Sequence, residues 1–346
     1  MPTTTNKTLI FKKVPAGLPV AGEHLTIEDR APPNFDPSTA APPNGGLALS
    51  ILYASYDPYL RGKMRPSHIK SYSPAFELDS PVTNATVARV VAASDGAAYA
   101  VGDLVIAHLP LAEYAVLTKE QAAKAVQRKV ENPHGLDLAV FLGPLGMPGL
   151  TGWSALYEIG KPKKGETIFI SSAAGAVGQV VGQVAKREGL RVIGSVGSDD
   201  KLEFILKEME FDGGWNYKKE GTKQALERLA PDGLEATIDR MNQHGRLIEC
   251  GMISQYNLPA EKRYPIKNMF LFVSKRLKME GFIVGDENFG PKHYKEHQEK
   301  MQKWLADGSV KAKIHLTEGI DKAADGFVDM LEGRNFGKAV LKIKDE

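Results

Sequence analysis

A single cysteine, Cys250, is all the thiol in 346 residues. One thiol excludes an internal disulfide and every multi-cysteine zinc site. The N-terminus, MPTTTNKTLIFKK, lacks an apolar core of targeting length, so with so little cysteine the expected setting is reducing, intracellular and cytoplasmic. Long apolar runs are also missing. The most apolar stretch, residues 139–150, is short and broken by Gly143, Pro144, Gly146, Pro148 and Gly149, which excludes a membrane span. Nor is there an excess of one charge. The formal net charge is +2 with Lys and Arg dispersed, so neither nucleic acid nor a membrane is an expected partner. What remains is an ordinary globular composition, 42% hydrophobic and 25% charged, with length enough for two domains.

The most informative segment is TIFISSAAGAVGQVVGQVAK, residues 167–186. A β-branched and aromatic run (Ile168, Phe169, Ile170) meets a small-residue turn, and Val177, Val180, Val181 and Val184 then recur at helical spacing. Strand, tight turn and helix present a helix N-terminus to a phosphate. In this A-x-G-x-x-G pattern Gly175 allows positive φ or close backbone approach, and Gly178 lets the helix pack on the strand. Backbone at Gly175, Ala176, Val177 and Gly178 is the expected pyrophosphate contact. A further absence follows: the next strand ends in Gly197-Ser198 where an acidic residue would hold the ribose 2′-hydroxyl of NAD. With Lys201 just beyond, the pattern favours the 2′-phosphate of NADP.

Residues 7 to about 130 read as β-rich, with short segments at 47–53, 85–92, 103–107 and 114–117 between Pro, Gly and Asp clusters. Pro32, Pro33, Pro37, Pro42 and Pro43 with Gly45 and Gly46 mark an exposed loop. Helical periodicity begins near Asp137, and strand–helix alternation from Thr167 implies a parallel, doubly wound sheet. A helix over 294–306 with Trp304 and Leu305 inward and a strand over 339–343 close the chain. The expected fold class is α/β, with a β-rich domain of residues 1–130 plus 307–346 and a nucleotide domain of 131–306. Between Pro231 and Gly245 the alternation runs short. A strand and a return helix should fit there, yet the space holds barely one element.

The chain resembles the zinc-independent medium-chain dehydrogenases/reductases, closest to the NADP-dependent alkenal double-bond reductases and the prostaglandin/leukotriene reductases. The matches are Asp57-Pro-Tyr-Leu-Arg61, Gly146-Met-Pro-Gly-Leu-Thr-Gly152, Ala173-Ala-Gly-Ala-Val-Gly178, Val196-Gly-Ser198 with Lys201, Asn216-Tyr-Lys218, His244-Gly-Arg246, the 251–257 segment GMISQYN, and Asn335-Phe-Gly-Lys338. The resemblance implies a GroES-like substrate domain, a Rossmann domain with one crossover truncated, and hydride transfer from NADPH to an activated C=C bond. It implies that Lys201 and Tyr217 clasp the 2′-phosphate beside Ser198, and that Asn257 and Asn335 lie near the cofactor. Tyr256 matches the family's active-site tyrosine and Tyr59 an aromatic lining the substrate cleft. Relatives often pair through a sheet edge, so a homodimer accompanies the resemblance. Two departures stand out. The acidic-Asn-Val-Gly-Gly loop before His-Gly-Arg is absent, and Ala85 replaces a cleft aromatic, implying a different or roomier acyl pocket.

An α,β-unsaturated aldehyde or ketone takes hydride at its β-carbon while charge builds on the carbonyl oxygen, so a preplaced donor is required there. Tyr256, assisted by a cofactor ribose hydroxyl, is the expected donor, with solvent protonating the α-carbon. A zinc alcohol dehydrogenase lacks its ligands here. His293 and His297 share a helix face without the Glu of H-E-x-x-H and read as solvated, so no metal is expected. Asn84-Ala-Thr86 is a formal glycosylation sequon and Cys250 reads as a core residue. The shortened crossover leaves a second reading open: a family member that binds NADPH with little or no catalysis.

Overall fold

The computed structural model describes residues 4–229, 238, 241–263 and 268–345. They form two compact units, one of Met1–Leu142, Ile253–Pro259 and Ile314–Glu346, the other of Gly143–Met252 and Ala260–Lys313. These bounds differ from the boundaries at 130 and 306 read from the sequence. The first switch falls after Leu142, and a seven-residue excursion carries Tyr256 and Asn257 into the first unit.

The first unit is built on the strand Leu47–Ser55, all nine residues of which are buried. A strand covered on both faces reads as a continuous apolar run rather than an alternation. One cluster against it holds Phe11, Tyr56, Phe327 and Leu341, the other Leu49, Ile51, Val90 and Val105. The sheet has seven strands, ordered Ile314–Glu318, Lys338–Lys342, Leu47–Ser55, Thr83–Ala93, Leu104–Pro110, Val126–Lys129, with Tyr114–Leu117 also paired to Leu47–Ser55. A separate three-stranded sheet joins Leu25–Asp29, Lys7–Phe11 and Ser80–Pro81.

The second unit carries the parallel strands. Thr167–Ile170 pairs with Arg191–Val196, which pairs with Gly213–Asn216. The helices Gly178–Arg187, Asp199–Lys207 and Thr222–Leu229 follow these strands in turn, supplying the crossover connections that parallel strands need. A second parallel pair, Arg246–Glu249 with Lys278–Gly281, stands apart. Among the described residues no strand joins the two sheets. Both facing edges are thinly covered: Ile168, Phe169 and all of Arg246–Glu249 are only half-buried. An ion pair bridges these edges, Arg246 Nη2 to Glu166 Oε2 at 2.7 Å. The shortfall read at 231–245 lies largely outside the described residues.

Several sequence expectations are corrected. His293 and His297 are not solvated. His297 is fully buried and bonds the Pro144 carbonyl at 2.9 Å, and His293 lies 2.6 Å from Glu158. The helix Gly290–Ala306 buries this face against Met147–Ala155, where Trp153 packs on His297 and Trp304. Trp304 and Leu305 are half-buried rather than fully inward. Cys250 is exposed, because it follows the thinly covered strand Arg246–Glu249. Among the described residues no His, Cys, Asp and Glu group is placed to hold a metal, and no helix is long and apolar enough to cross a membrane.

Candidate active site

In the second unit the small-residue turn runs from Ile170 to the helix Gly178–Arg187. The left-handed residue is Ser172, at φ 50, and not Gly175, whose φ is not positive. Ser172 turns the chain so that its carbonyl accepts from Gly175 N–H at 2.8 Å. A Cβ on Gly178 would lie 2.6 Å from the Ser172 carbonyl oxygen and 2.8 Å from Ala173 Cα, so only glycine allows the helix this close. Ala176 and Val177 donate to no acceptor among the described residues. Two such amides at a helix N-terminus suit an anion.

Ser198 caps the helix Asp199–Lys207, its hydroxyl accepting from the Lys201 backbone N–H. Burial lowers the pKa of the Lys201 ammonium, and the nearby Lys218 lowers it further. Tyr217 lies across the Gly197 backbone, its hydroxyl 2.7 Å from where a Gly197 Cβ would stand, and half of it is exposed. Ser198, Lys201, Tyr217 and Lys218 thus gather at the ends of two adjacent strands. Two ammonium groups held together are relieved by an added phosphate, and the donor set fits a 2′-phosphorylated dinucleotide. Lys218 was visible in the sequence only as Tyr217's neighbour. Its partnership with Lys201 depends on the pairing of Arg191–Val196 with Gly213–Asn216.

The first unit holds a group of tyrosines. Tyr59 opens the short helix Leu60–Lys63, and its hydroxyl donates to Asn84 Oδ1 at 2.6 Å. Burial pushes the Tyr59 phenol up, with Asp57 and then Tyr72 adding to the rise. Tyr72 is 65% exposed; desolvation of its covered part raises the phenol, Tyr256 raises it further and Arg65 eases it. Tyr59, Tyr72 and Tyr256 thus lie in one unit. Tyr256 ends the helix Ile253–Tyr256 and is half-buried. Asn257 Oδ1 accepts from Arg61 Nε at 2.9 Å. Asn335 is turned onto its own loop, donating to the Gly337 carbonyl at 2.6 Å. Ala85 is half-buried and stands opposite His108 in the sheet.

Sequence reasoning missed Tyr72 and Asn84. Tyr72 sits in a polar loop without periodicity, and Asn84 resembled a glycosylation sequon. In the fold Asn84 is 1% exposed, and its amide donates to Asp57 Oδ2 at 2.9 Å and to the Ser55 carbonyl at 2.7 Å.

Comparison with known proteins agrees with this architecture. Residues 7–125 match the family model described as the N-terminal domain of oxidoreductase. An NADP-dependent oxidoreductase, RED1 of Cochliobolus heterostrophus, is 47% identical over 354 aligned positions, covering 98% of each chain. That alignment is longer than the 346 residues here, so it opens gaps in this chain. The NADP(+)-dependent 2-alkenal reductase of Nicotiana tabacum is 34% identical, over 99% of this chain and 98% of its own. The structure of CurA from Vibrio vulnificus in complex with NADPH superposes with a TM-score of 0.85 at 31% identity, covering 98% of this chain and 100% of that one. With a β-rich unit, a parallel nucleotide-binding unit and relatives matched along nearly its whole length, the chain belongs to the zinc-independent medium-chain dehydrogenase/reductase family.

Proposed function

We propose that the protein is an NADP-dependent oxidoreductase that reduces the C=C bond of α,β-unsaturated aldehydes or ketones. The observation that carries this reading is Tyr256, half-buried at the end of Ile253–Tyr256 in the same unit as Tyr59 and Tyr72, a hydroxyl donor for a carbonyl oxygen where no group among the described residues is placed to hold a metal. Similarity to an NADP(+)-dependent 2-alkenal reductase supports the same substrate class. The expected cofactor is NADPH, supported by the Lys201–Lys218 pair and by relatives that use NADP. When bound it supplies the hydride.

The chain's own residues bind, orient and donate. Ala176 and Val177 present amides to the pyrophosphate, and Lys201, Ser198 and Tyr217 take the 2′-phosphate. Tyr256 donates its hydroxyl hydrogen bond to the carbonyl oxygen as negative charge gathers there, and solvent protonates the α-carbon. Tyr256→Phe is expected to lower kcat by about 100-fold or more, the cost of removing one oxyanion donor, while NADPH affinity stays unchanged. Equal turnover in the variant would remove Tyr256 from this role.

Among the described residues the parallel strands fall into two separate sheets, which favours a second reading, an NADPH-binding member with little catalysis. Thermal shift with NADPH and NADH, followed by nicotinamide absorbance with a panel of 2-alkenals and enones, separates the two. Stabilisation by NADPH with turnover supports the reductase, and stabilisation without turnover supports the binder.

A further inference from the structure

A buried polar chain in the first unit begins at Lys338. Its ammonium, 2% exposed, donates to the Tyr56 carbonyl, to the Ala339 carbonyl at 2.9 Å and to Asp57 Oδ1 at 3.1 Å. Three protons meet three acceptors, and an ammonium can only donate. The other Asp57 oxygen accepts from the Ser55 hydroxyl at 2.5 Å and from Asn84 Nδ2 at 2.9 Å. The second Asn84 amide proton goes to the Ser55 carbonyl at 2.7 Å.

Both partners of the Asn84 amide nitrogen are acceptors only. Turning the amide over would set Oδ1 against a carbonyl and a carboxylate, so its orientation is forced by chemistry. Oδ1 must therefore face Tyr59, and it receives the Tyr59 hydroxyl at 2.6 Å. A phenol carries one proton, and here that proton is committed to the protein interior. Donating it elsewhere would leave Asn84 Oδ1 buried and unpaired, at 1% exposure, with the full desolvation penalty of that atom. Burial, Asp57 and Tyr72 also oppose a Tyr59 phenolate.

We propose that Lys338, Asp57 and Asn84 form a positioning chain that commits the Tyr59 proton to Asn84, so that the Tyr59 oxygen serves the site only as a hydrogen-bond acceptor. Tyr59 then orients a neighbouring donor, the Tyr256 or Tyr72 hydroxyl or a substrate hydroxyl, and does not protonate the product. The donor and acceptor order is transmitted from a lysine that never meets substrate. The kinetic form of this inference rests on the enone reductase reading; its spectroscopic form does not.

The test uses the full-length protein with NADPH and a 2-alkenal, and the variants Tyr59→Phe, Asn84→Ser and the double variant. Each single change is expected to lower kcat about tenfold, with NADPH affinity unchanged. Because Asn84 acts through Tyr59, the double variant should be no worse than Tyr59→Phe. Multiplying effects, about 100-fold together, would overturn the proposal. Tyrosine labelled with 13C at Cζ gives the second readout, the Tyr59 resonance being assigned by its loss in Tyr59→Phe. In the unmutated protein it should stay fixed while solvent-like tyrosines titrate, and it should move in Asn84→Ser. A Tyr59 resonance that titrates with the others, or that ignores Asn84→Ser, overturns the positioning chain. The expected resonance behaviour without turnover of any enone would overturn the reductase reading and leave the chain standing.

Discussion

Arg61 holds Asn257 in place: Nε donates to Asn257 Oδ1 at 2.9 Å, while Nη2 donates to the Gly17 carbonyl at 2.7 Å and the Pro15 carbonyl at 3.2 Å. One buried guanidinium thus ties the Ile253–Pro259 excursion, with Tyr256 on it, to the N-terminal segment. Only a planar fork reaches partners on two sides at once. Arg61→Lys is expected to free the excursion and misplace Tyr256, lowering kcat about 10- to 100-fold, or ~1.4–2.7 kcal/mol. The 2′-phosphate cluster of Ser198, Lys201 and Tyr217 lies in the other unit, so NADPH affinity should change far less than kcat. Steady-state kinetics beside fluorescence titration of NADPH checks the split.

Lys201 and Lys218 are expected to set the preference between cofactors. A charge-assisted bond to phosphate contributes about 1.5–3 kcal/mol, so Lys201→Ala should weaken NADPH binding roughly 10- to 100-fold. NADH has no 2′-phosphate and should bind the variant and the parent alike. Titrations with both cofactors decide it; equal losses for the two would assign Lys201 to helix stability instead.

Two glycines on one helix should separate stability from binding. A Cβ on Gly182 would meet the Phe211 ring at 2.0 Å, whereas on Gly178 it would meet the backbone of Ser172 and Ala173. Overpacking of this kind costs about 1–3 kcal/mol, so both alanine variants should melt at lower temperature. Gly178→Ala also moves the amides of Ala176 and Val177 and should lose NADPH affinity. Gly182→Ala, a turn further on, should keep it.

What the sequence revealed was local. The turn at residues 171–178, the helix over Thr222–Leu229 and the strand Tyr114–Leu117 each follow from residues within one short window, and all three are present. Hydrophobic periodicity placed Val180 and Val184 in the core. The tyrosines Tyr59 and Tyr256 came from motif resemblance, and the fold brings both into one unit. What stayed hidden depends on distant partners. Lys338 reaches Asp57 across 281 positions, and no window of sequence contains both. Asn84 carries a sequon's pattern, and only the folded pairing shows that its amide points inward. The same reason explains Cys250 and His297, whose exposures are reversed from their local appearance. A strand end is exposed where the strand itself is only half-covered, and a polar helix face is buried where Pro144 offers a carbonyl.

His108 provides a pH test with a definite sign. Burial lowers its pKa below the ordinary histidine value, and the Lys63 ammonium lowers it further. Lys63 is 7% exposed and sits 4.5 Å over the Phe76 ring. A group whose folded pKa is depressed binds fewer protons folded than unfolded. Its contribution to stability is present above the unfolded value, about 6.5, and is lost as pH falls through the folded value. The protein should therefore lose stability on acidification below that range, and His108→Gln should lose less over the same interval. Urea unfolding at successive pH values measures the difference. Lys63→Met removes the like charge, so the His108 imidazole should titrate at higher pH by proton NMR, and a resonance that does not move would leave burial as the whole cause.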